Sequence, residues 1–389
     1  MKTSLALTLT ALLASPAALA ISPSEQARNL AKETIIVDGH IDVPYRLAEE
    51  WEDVTQATEK GDFDYPRAVA GGLNAPFMSI YIPASYETSG DSVLLANQLI
   101  DSVEAIVGRA PDKFSMAYTV ADVEKAFADG KIALPMGMEN GTPLKGSFDN
   151  LKHFYERGVR YITLAHSQAN HISDSSYDLR RKWNGLSPFG KELVGEMNKL
   201  GVMVDISHVS DEAFYQAVEL SRVPVIASHS SLRQFTPGFE RNMNDEMIKA
   251  LAKNGGVIMI NFGSSFVSNM AQSWGKQRTE AMEAAGETNR DKFEALYRKK
   301  NPYPFATLEM VLDHIDHVRD LVGIDHIGIG SDYDGVGDSL PVHLKDVSTY
   351  PNLVQGLLDR GYSEADIRKI LSGNFLRVWK EVEAYAANH

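Results

Sequence analysis

Several short apolar runs of this sequence end in residues that bind divalent metal ions. One run leads into His40 and Asp42, another ends at Glu139, and two more end in Ser-His pairs containing His208 and His229. Imidazole nitrogens and carboxylate oxygens suit Zn²⁺, with Mn²⁺ or Co²⁺ as substitutes. If the ends of these runs lie together in the fold, the sequence predicts a metal centre.

Each of these residues taken alone also has an ordinary structural explanation. Residues two apart in an extended segment point the same way, so His40 and Asp42 can bind one ion, although a His-x-Asp is common by chance. A single acid such as Glu139 is more often a solvated loop carboxylate, and a histidine after a strand more often a hydrogen-bonded structural residue. The convergence of several runs favours the metal hypothesis.

A further carboxylate follows the last apolar run, within the segment Gly328–Gly335. Asp332 is the first carboxylate beyond that run, and it could take a proton from a metal-activated water. The sequence leaves Asp334 as an alternative, although Asp334-Gly335 is also typical of a turn. Strand register favours Asp332.

The elements that must position these residues form a regular alternation. Runs rich in Val and Ile alternate with stretches of helical spacing, which is typical of parallel βα units. Eight predicted strands lie at Thr34–Asp38, Phe77–Ile82, Ile132–Gly137, Val159–Leu164, Val202–Ile206, Val223–Ala227, Gly256–Asn261 and His326–Gly330. Eight units favour an α/β fold, the (β/α)₈ TIM barrel, whose active site lies at the carboxyl ends of the strands.

Two segments depart from this alternation. Residues 264–305, after the seventh run, predict a helical insertion over the barrel mouth, around Thr279–Glu287 and Arg290–Lys300. The insertion could be a solvated excursion, a lid or a subunit contact, so a homodimer remains open. The C-terminal stretch Glu364–Ala387 predicts two helices without the apolar tail of a lipid anchor.

The N-terminus indicates export. Lys2, an apolar run and the small residues Ala18-Leu19-Ala20 predict a secretory signal peptide over residues 1–20, too short to span a bilayer. We expect one barrel domain over residues 21–389, with no membrane anchor. The chain has no cysteine, so its stability must come from the core and not from disulfides.

The overall charge excludes some partners. The chain carries 38 Lys and Arg against 52 Asp and Glu, a net charge of −14, and removing Lys2 with the signal peptide gives 37 − 52 = −15. So acidic a chain, without a basic stripe, argues against nucleic acid and anionic membranes as partners.

In this order along the chain, the motifs resemble those of the renal (membrane) dipeptidase family of zinc metallopeptidases, a branch of the metal-dependent amidohydrolase-type barrels. The resemblance covers nearly the whole mature chain. It rests on the segments Val37–Asp42, Met138–Gly141, Tyr161–His166, Gly201–Ser210, Ser228–Ser230, Arg241–Asn242 and Gly328–Gly335. Animal members are disulfide-linked and lipid-anchored, so this chain resembles the bacterial exported members, and we expect a periplasmic protein.

The resemblance implies two zinc ions per chain and a small peptide as substrate. His40 and Asp42 would hold one ion, His208 and His229 the other, and Glu139 would bridge both. Two such ions share one water and lower its pKa toward 7.

The resemblance also implies the roles of the substrate-binding residues. His166 would contact the scissile carbonyl oxygen, Arg241 would pair with the free carboxylate of the substrate with Asn242 beside it, and Asp332 would transfer the proton. The sequence thus predicts a zinc-dependent dipeptidase with Asp332, His166 and Glu139 as catalytic residues.

Two alternatives stay open. A related barrel could hydrolyse a lactone, a phosphotriester or a cyclic amide, because the scaffold does not determine the substrate. The chain could also be a non-catalytic periplasmic zinc-binding protein. Arg241 separates the dipeptidase from the other hydrolases, because only a substrate with a free carboxylate needs it.

Overall fold

Eight parallel strands close into a barrel in the computed structural model, which describes residues 22–389; the predicted signal peptide lies outside the described residues. This architecture confirms the predicted TIM barrel. The strands are β1 Val37–Ile41, β2 Ala75–Tyr81, β3 Met136–Glu139, β4 Val159–Thr163, β5 Met203–Asp205, β6 Ile226–Ser230, β7 Val257–Ile260 and β8 Ile327–Ile329. Around the barrel their order is β1-β8-β7-β6-β5-β4-β3-β2.

Helices surround the barrel and connect consecutive strands. They are α1 Glu25–Glu33, α2 Val43–Glu49, α3 Tyr65–Gly71, α4 Ser92–Arg109, α5 Val120–Ala128, α6 Phe148–Glu156, α7 Pro188–Leu200, α8 Asp211–Leu220, α9 Asp245–Asn254, α10 Ser264–Val267, α11 Asn269–Ala284, α12 Arg290–Lys300, α13 Leu308–Val322, α14 Tyr350–Asp359, α15 Glu364–Arg368 and α16 Asn374–Ala386. None of the helices within residues 22–389 is long and apolar enough to cross a membrane.

Local sequence signals fix where the helices near the barrel mouth begin and end. The side chain of Ser210 accepts a hydrogen bond from the amide of Ala213 at the start of α8. Gly201 and Gly255 adopt positive φ angles of 89° and 85° and end α7 and α9. Such caps satisfy backbone groups that a helix end leaves unpaired, so α8 begins three residues after His208.

Three predicted strands were displaced from their observed positions. The first runs over Val37–Ile41 instead of Thr34–Asp38, so His40 lies inside the strand and not after it. The sixth covers Ile226–Ser230 and therefore includes His229. The third is interrupted at Pro135, because Ile132–Leu134 pairs with Phe114–Met116 in a separate two-stranded sheet and only Met136–Glu139 joins the barrel.

Aromatic side chains fill the interior of the barrel below the site. The ring of Phe77 lies 5.4 Å from that of Tyr161 and 5.3 Å from that of Trp379 on α16. Gly137 on β3 makes room for Tyr161, since a Cβ at Gly137 would lie 1.9 Å from the Tyr161 ring. This packing holds the Tyr161 hydroxyl beneath β1.

The segment after β7 is helical, as predicted. Helices α10 to α12 occupy residues 264–300, although α11 begins at Asn269, earlier than the predicted Thr279. The C-terminal stretch forms α15 and α16, joined by a π-helical turn at Lys369–Gly373. The side chain of Asn374 donates hydrogen bonds to the carbonyls of Ile324 and Ile327, which ties this turn to β8.

Candidate metal centre and active site

The ends of β1 and β8 bring the first predicted ligands together. His40 Nε2 lies 3.3 Å from Asp42 Oδ2. The amide of Asp332 donates to the His40 carbonyl at 3.1 Å, and the amide of Asp42 donates to the Tyr333 carbonyl at 2.9 Å. These two backbone hydrogen bonds join the loop after β8 to the end of β1, so Asp332 faces the same space as His40 and Asp42.

Glu139 lies at the centre of the cluster. Its Oε2 is 3.4 Å from His40 Nε2, whereas its Oε1 is 3.0 Å from His208 Nε2 and 3.3 Å from His229 Nε2. The two oxygens of one carboxylate therefore face two different groups of side chains. This is the arrangement expected of a residue that bridges two ions.

His208 and His229 complete the second group. Their Nε2 atoms are 2.9 Å apart, and both side chains are buried. His208 has a positive φ of 71°, a strained conformation for a non-glycine residue. The amide and hydroxyl of Ser176 both donate to the His208 carbonyl, which stabilises this backbone.

The protonation of the cluster favours a bound cation. Burial lowers the pKa of His208 and of His229 well below the ordinary range, so both imidazoles are neutral. Burial also opposes charge on His40, but Tyr161, Asp42 and Glu139 raise its pKa well above the ordinary range. Without a metal ion, a proton on His40 balances the negative charge of the nearby carboxylates. A bound metal ion would balance the same charge.

The residues present fit zinc. His40 Nε2 and Asp42 Oδ1 are buried without a hydrogen-bond partner among the described residues, an arrangement that is costly unless an ion binds there. The possible ligand atoms lie within 4.8 Å of one another in three groups of side chains: His40, Glu139 and His229; Glu139, His166 and His208; and His40, Asp42 and Asp332. Three protein ligands with room for a fourth is the pattern of catalytic zinc sites.

The predicted proton carrier is held by a residue that sequence reasoning missed. Asp332 Oδ2 accepts a hydrogen bond of 2.7 Å from the side-chain amide of Asn261, which follows β7. In the metal-free protein the pKa of Asp332 is raised to about 7, chiefly by burial; the charge of His40 lowers this pKa, whereas the charges of Asp42 and Glu139 raise it. Asp334, the alternative, belongs to none of the groups of possible metal ligands among the described residues, and its Oδ2 pairs with Arg46 Nε at 3.0 Å.

A cavity of about 780 Å³ opens above the cluster and is lined by Asp42, Glu139, His208 and Asp332. His166, from the loop after β4, also lines it, with Nε2 3.6 Å from Glu139 Oε1. Burial lowers the pKa of His166, and Arg241 lowers it further, so the imidazole is neutral and has one N–H to donate.

Arg241 is buried beside this cavity, with 3% of its surface exposed. Its Nη1 donates to Ser230 Oγ at 2.7 Å and its Nη2 to the His229 carbonyl at 2.8 Å, and both partners are neutral. Nε has no partner among the described residues. The guanidinium lies 5.3 Å from the ring centre of Phe266, which lines the cavity.

Asn242, the other residue predicted to bind substrate, makes its hydrogen bonds within the protein. Its amide group donates to Thr236 Oγ1 and to the Phe266 carbonyl, and its oxygen accepts from the amide of Ser231. Both amide hydrogens are thus used within the protein. Asn242 fixes the loop that carries Arg241.

Sequence reasoning also missed the polar residues behind the ligands. Ser228 Oγ lies 2.8 Å from His229 Nδ1, and Tyr161 OH lies 2.9 Å from His40 Nδ1. Asp205 is buried and accepts hydrogen bonds from Ser228 and Thr163. One signal was available, because a polar residue inside a buried strand needs a partner.

A closed parallel barrel with imidazoles and carboxylates converging at the carboxyl ends of its strands defines a metal-dependent hydrolase of the TIM-barrel class. The family model described as "Membrane dipeptidase (Peptidase family M19)" matches residues 24–389. The chain belongs to this family, and it is a peptidase.

Individual relatives agree with this assignment. The chain is 37% identical over 338 residues to Dipeptidase tcpJ of Claviceps purpurea (strain 20.1), covering 84% of this chain and 71% of the relative. It is 33% identical over 368 residues to Dipeptidase 3 of Mus musculus, covering 92% of this chain and 66% of the relative. The crystal structure of the probable dipeptidase PvdM from Pseudomonas aeruginosa superposes with a TM-score of 0.83 at 28% identity, covering 93% and 98% of the two chains.

Proposed function

We propose that the protein hydrolyses dipeptides that have a free C-terminal carboxylate, with two zinc ions bound by His40, Asp42, Glu139, His208 and His229. When bound, the ions supply Lewis acidity and lower the pKa of the attacking water toward 7. The relatives named as dipeptidases support the substrate class. Manganese or cobalt would suit the same ligands.

The remaining side chains have separate roles in the proposed reaction. Asp332, held by Asn261, accepts the proton of the attacking water and returns it to the leaving amine. His166, a neutral donor at the cavity wall, stabilises the carbonyl oxygen as negative charge develops.

The observation that carries the proposal is the buried guanidinium of Arg241. A buried charge is costly unless a countercharge binds it, and both of its partners here are neutral. The unpartnered Nε lies on a side chain packed over the cavity residue Phe266. A carboxylate of the substrate supplies the missing charge, which a lactone or a phosphotriester does not.

The test is hydrolysis by metal-replete protein of a panel of L,L and L,D dipeptides, each as the free acid and as the C-terminal amide. We expect cleavage of free acids and poor cleavage of amides. Elemental analysis of the same sample should give two zinc ions per chain. Equal cleavage of acids and amides, or metal content that never exceeds one ion, would contradict the proposal.

We also propose export to the periplasm, supported by the signal-like residues 1–20. Mass spectrometry of protein from the periplasmic fraction should show a chain that begins at Ile21. Replacing Ala18 and Ala20 by aspartate should block cleavage and retain the full-length chain. An unprocessed parent chain in the cytoplasmic fraction would refute this proposal.

A further inference from the structure

Two of the three histidines in the centre have a hydroxyl group behind them, and the direction of each hydroxyl is fixed. Histidine binds a metal ion through the nitrogen that carries no hydrogen, so whichever group binds the other nitrogen decides which atom is available. The hydrogen bonds around each hydroxyl therefore determine the tautomer of the histidine in front of it.

His229 is controlled through Ser228. The Ser228 hydroxyl donates its single hydrogen to Asp205 Oδ2 at 2.6 Å, so it can only accept from His229 Nδ1, 2.8 Å away. His229 Nδ1 therefore carries the hydrogen. The Nε2 atom, which faces Glu139, is left with a free lone pair.

Other hydrogen bonds hold the Asp205 carboxylate in the orientation in which it accepts from the Ser228 hydroxyl. Its Oδ2 also accepts from Thr163 Oγ1, while its Oδ1 accepts from the amides of Ser207 and Ser228 at 3.1 and 2.9 Å. The carboxylate is fully buried. With four donors around it, it remains an acceptor for the Ser228 hydroxyl.

His40 is controlled in the same way from a different strand. The Tyr161 hydroxyl donates to the Gly39 carbonyl at 2.9 Å and so accepts from His40 Nδ1, also at 2.9 Å. His40 Nε2 then faces Asp42 and Glu139. His208, by contrast, has a buried Nδ1 without a partner among the described residues.

We propose that Ser228, oriented by Asp205, and Tyr161, oriented by the Gly39 carbonyl, are positioning residues that each set the tautomer of one metal-binding histidine, one in each half of the centre. The expected effect on metal binding rests on the proposed metal centre. The hydrogen bonds that select the nitrogen in each case are made within the chain.

Zinc affinity measures the effect of these two residues on metal binding. The variants are Ser228→Ala and Tyr161→Phe, and the matched control is Ser230→Ala, a buried serine two residues further along β6 whose hydroxyl contacts Ser207 and Arg241 and no histidine. Zinc-free protein is titrated against a chromophoric zinc chelator, and thermal unfolding establishes that each variant is folded. We expect each of the two variants to raise one of the two zinc dissociation constants by about 10- to 100-fold. The constant that rises should be a different one in each variant. Ser230→Ala should leave both constants unchanged.

Nitrogen NMR of protein labelled with ¹⁵N-histidine measures the tautomers without metal. In the metal-free parent protein, His229 should show hydrogen on Nδ1, and Ser228→Ala should remove that preference. His40 is protonated on both nitrogens without metal, and zinc binding should leave hydrogen on its Nδ1 alone. A parent that binds fewer than two zinc ions would refute the proposed function while this spectrum still tests the inference. Unchanged tautomers and zinc constants in both variants, or equal weakening by Ser230→Ala, would overturn the inference.

Discussion

Replacing Arg241 by alanine should separate a carboxylate-reading peptidase from any other hydrolase on this barrel. The substitution removes a guanidinium that is 3% exposed and whose contacts within the protein are the Ser230 hydroxyl and the His229 carbonyl. Nothing in the metal ligand set is deleted. The main loss should therefore be in substrate binding and not in zinc content.

The magnitude follows from the burial of the charge. Truncating one partner of a buried charge pair costs about 2 to 5 kcal/mol, which corresponds to a fall in kcat/KM of about 30-fold to several thousand-fold for a free dipeptide. A C-terminally amidated dipeptide has no carboxylate to lose, so its low kcat/KM should change by less than about threefold. Arg241→Lys should restore only part of the activity, because a point charge lacks the two-pronged contact.

The assay is a four-way comparison of parent and variant on the acid and amide forms of one dipeptide, with zinc content measured on each sample. For each substrate, the ratio of parent to variant kcat/KM is calculated. The difference between the ratio for the acid and the ratio for the amide measures the interaction of the guanidinium with the carboxylate, because general damage to the protein lowers cleavage of both substrates equally. If Arg241→Ala lowers cleavage of the acid and the amide by the same factor, then Arg241 is structural and the carboxylate argument is wrong.

Three other changes test separate parts of the structure. Asp332→Asn removes the proton acceptor at nearly constant size, so kcat should fall by about 10²- to 10⁴-fold with zinc content unchanged, and near-normal turnover would rule out this role. Burial, and next the charge of Asp334, raise the pKa of Asp62 from 3.8 to about 7, so the folded state binds this proton more tightly than the unfolded state does. The protonated side chain therefore contributes to stability in full below pH 3.8, and this contribution is lost as the pH rises from 3.8 to 7. Asp62→Asn should accordingly leave chemical denaturation near pH 4 unchanged and stabilise the protein at pH 8 by at most about 4 kcal/mol, and a pH-independent difference would refute that assignment. Gly137→Ala places a Cβ against the Tyr161 ring and should lower the free energy of unfolding by about 1 to 3 kcal/mol, measured by urea denaturation, whereas an unchanged midpoint would show that the ring can move freely.

The barrel could be predicted because its signal is repeated eight times along the chain. Strand positions were less accurate where a strand continues into polar residues, since β1 and β6 extend through His40 and His229 into sequence that has no apolar pattern. The division at Pro135 was also missed, because Ile132–Gly137 has the composition of one continuous strand. Composition alone does not show which neighbour a strand pairs with.

The proposed metal ligands could be selected from the sequence because each lies at the end of an apolar run. Arg241 and His166 were assigned only from the family resemblance, since their loops carry no periodic signal. The sequence could not show that Asn242 hydrogen-bonds within the protein, because a polar residue beside a binding residue looks the same in sequence whether it faces the cavity or the protein. Asp205 and Ser228 lie within the family motifs, but the sequence does not indicate a role for them, because hydrogen-bond direction depends on contacts between strands.

Three residues that follow barrel strands near the site have a strained backbone conformation. Asn140, His208 and Asp332 all have positive φ angles, and they follow three different strands, β3, β5 and β8. Such a conformation costs about 1 to 3 kcal/mol at a non-glycine residue and persists only where surrounding contacts require it. Here those contacts come from the protein itself: the Asn140 side chain donates to the Ile82 carbonyl, Ser176 donates to the His208 carbonyl, and the Asp332 amide donates to the His40 carbonyl. Hydrogen bonds within the protein therefore stabilise the strained backbone on which these side chains lie.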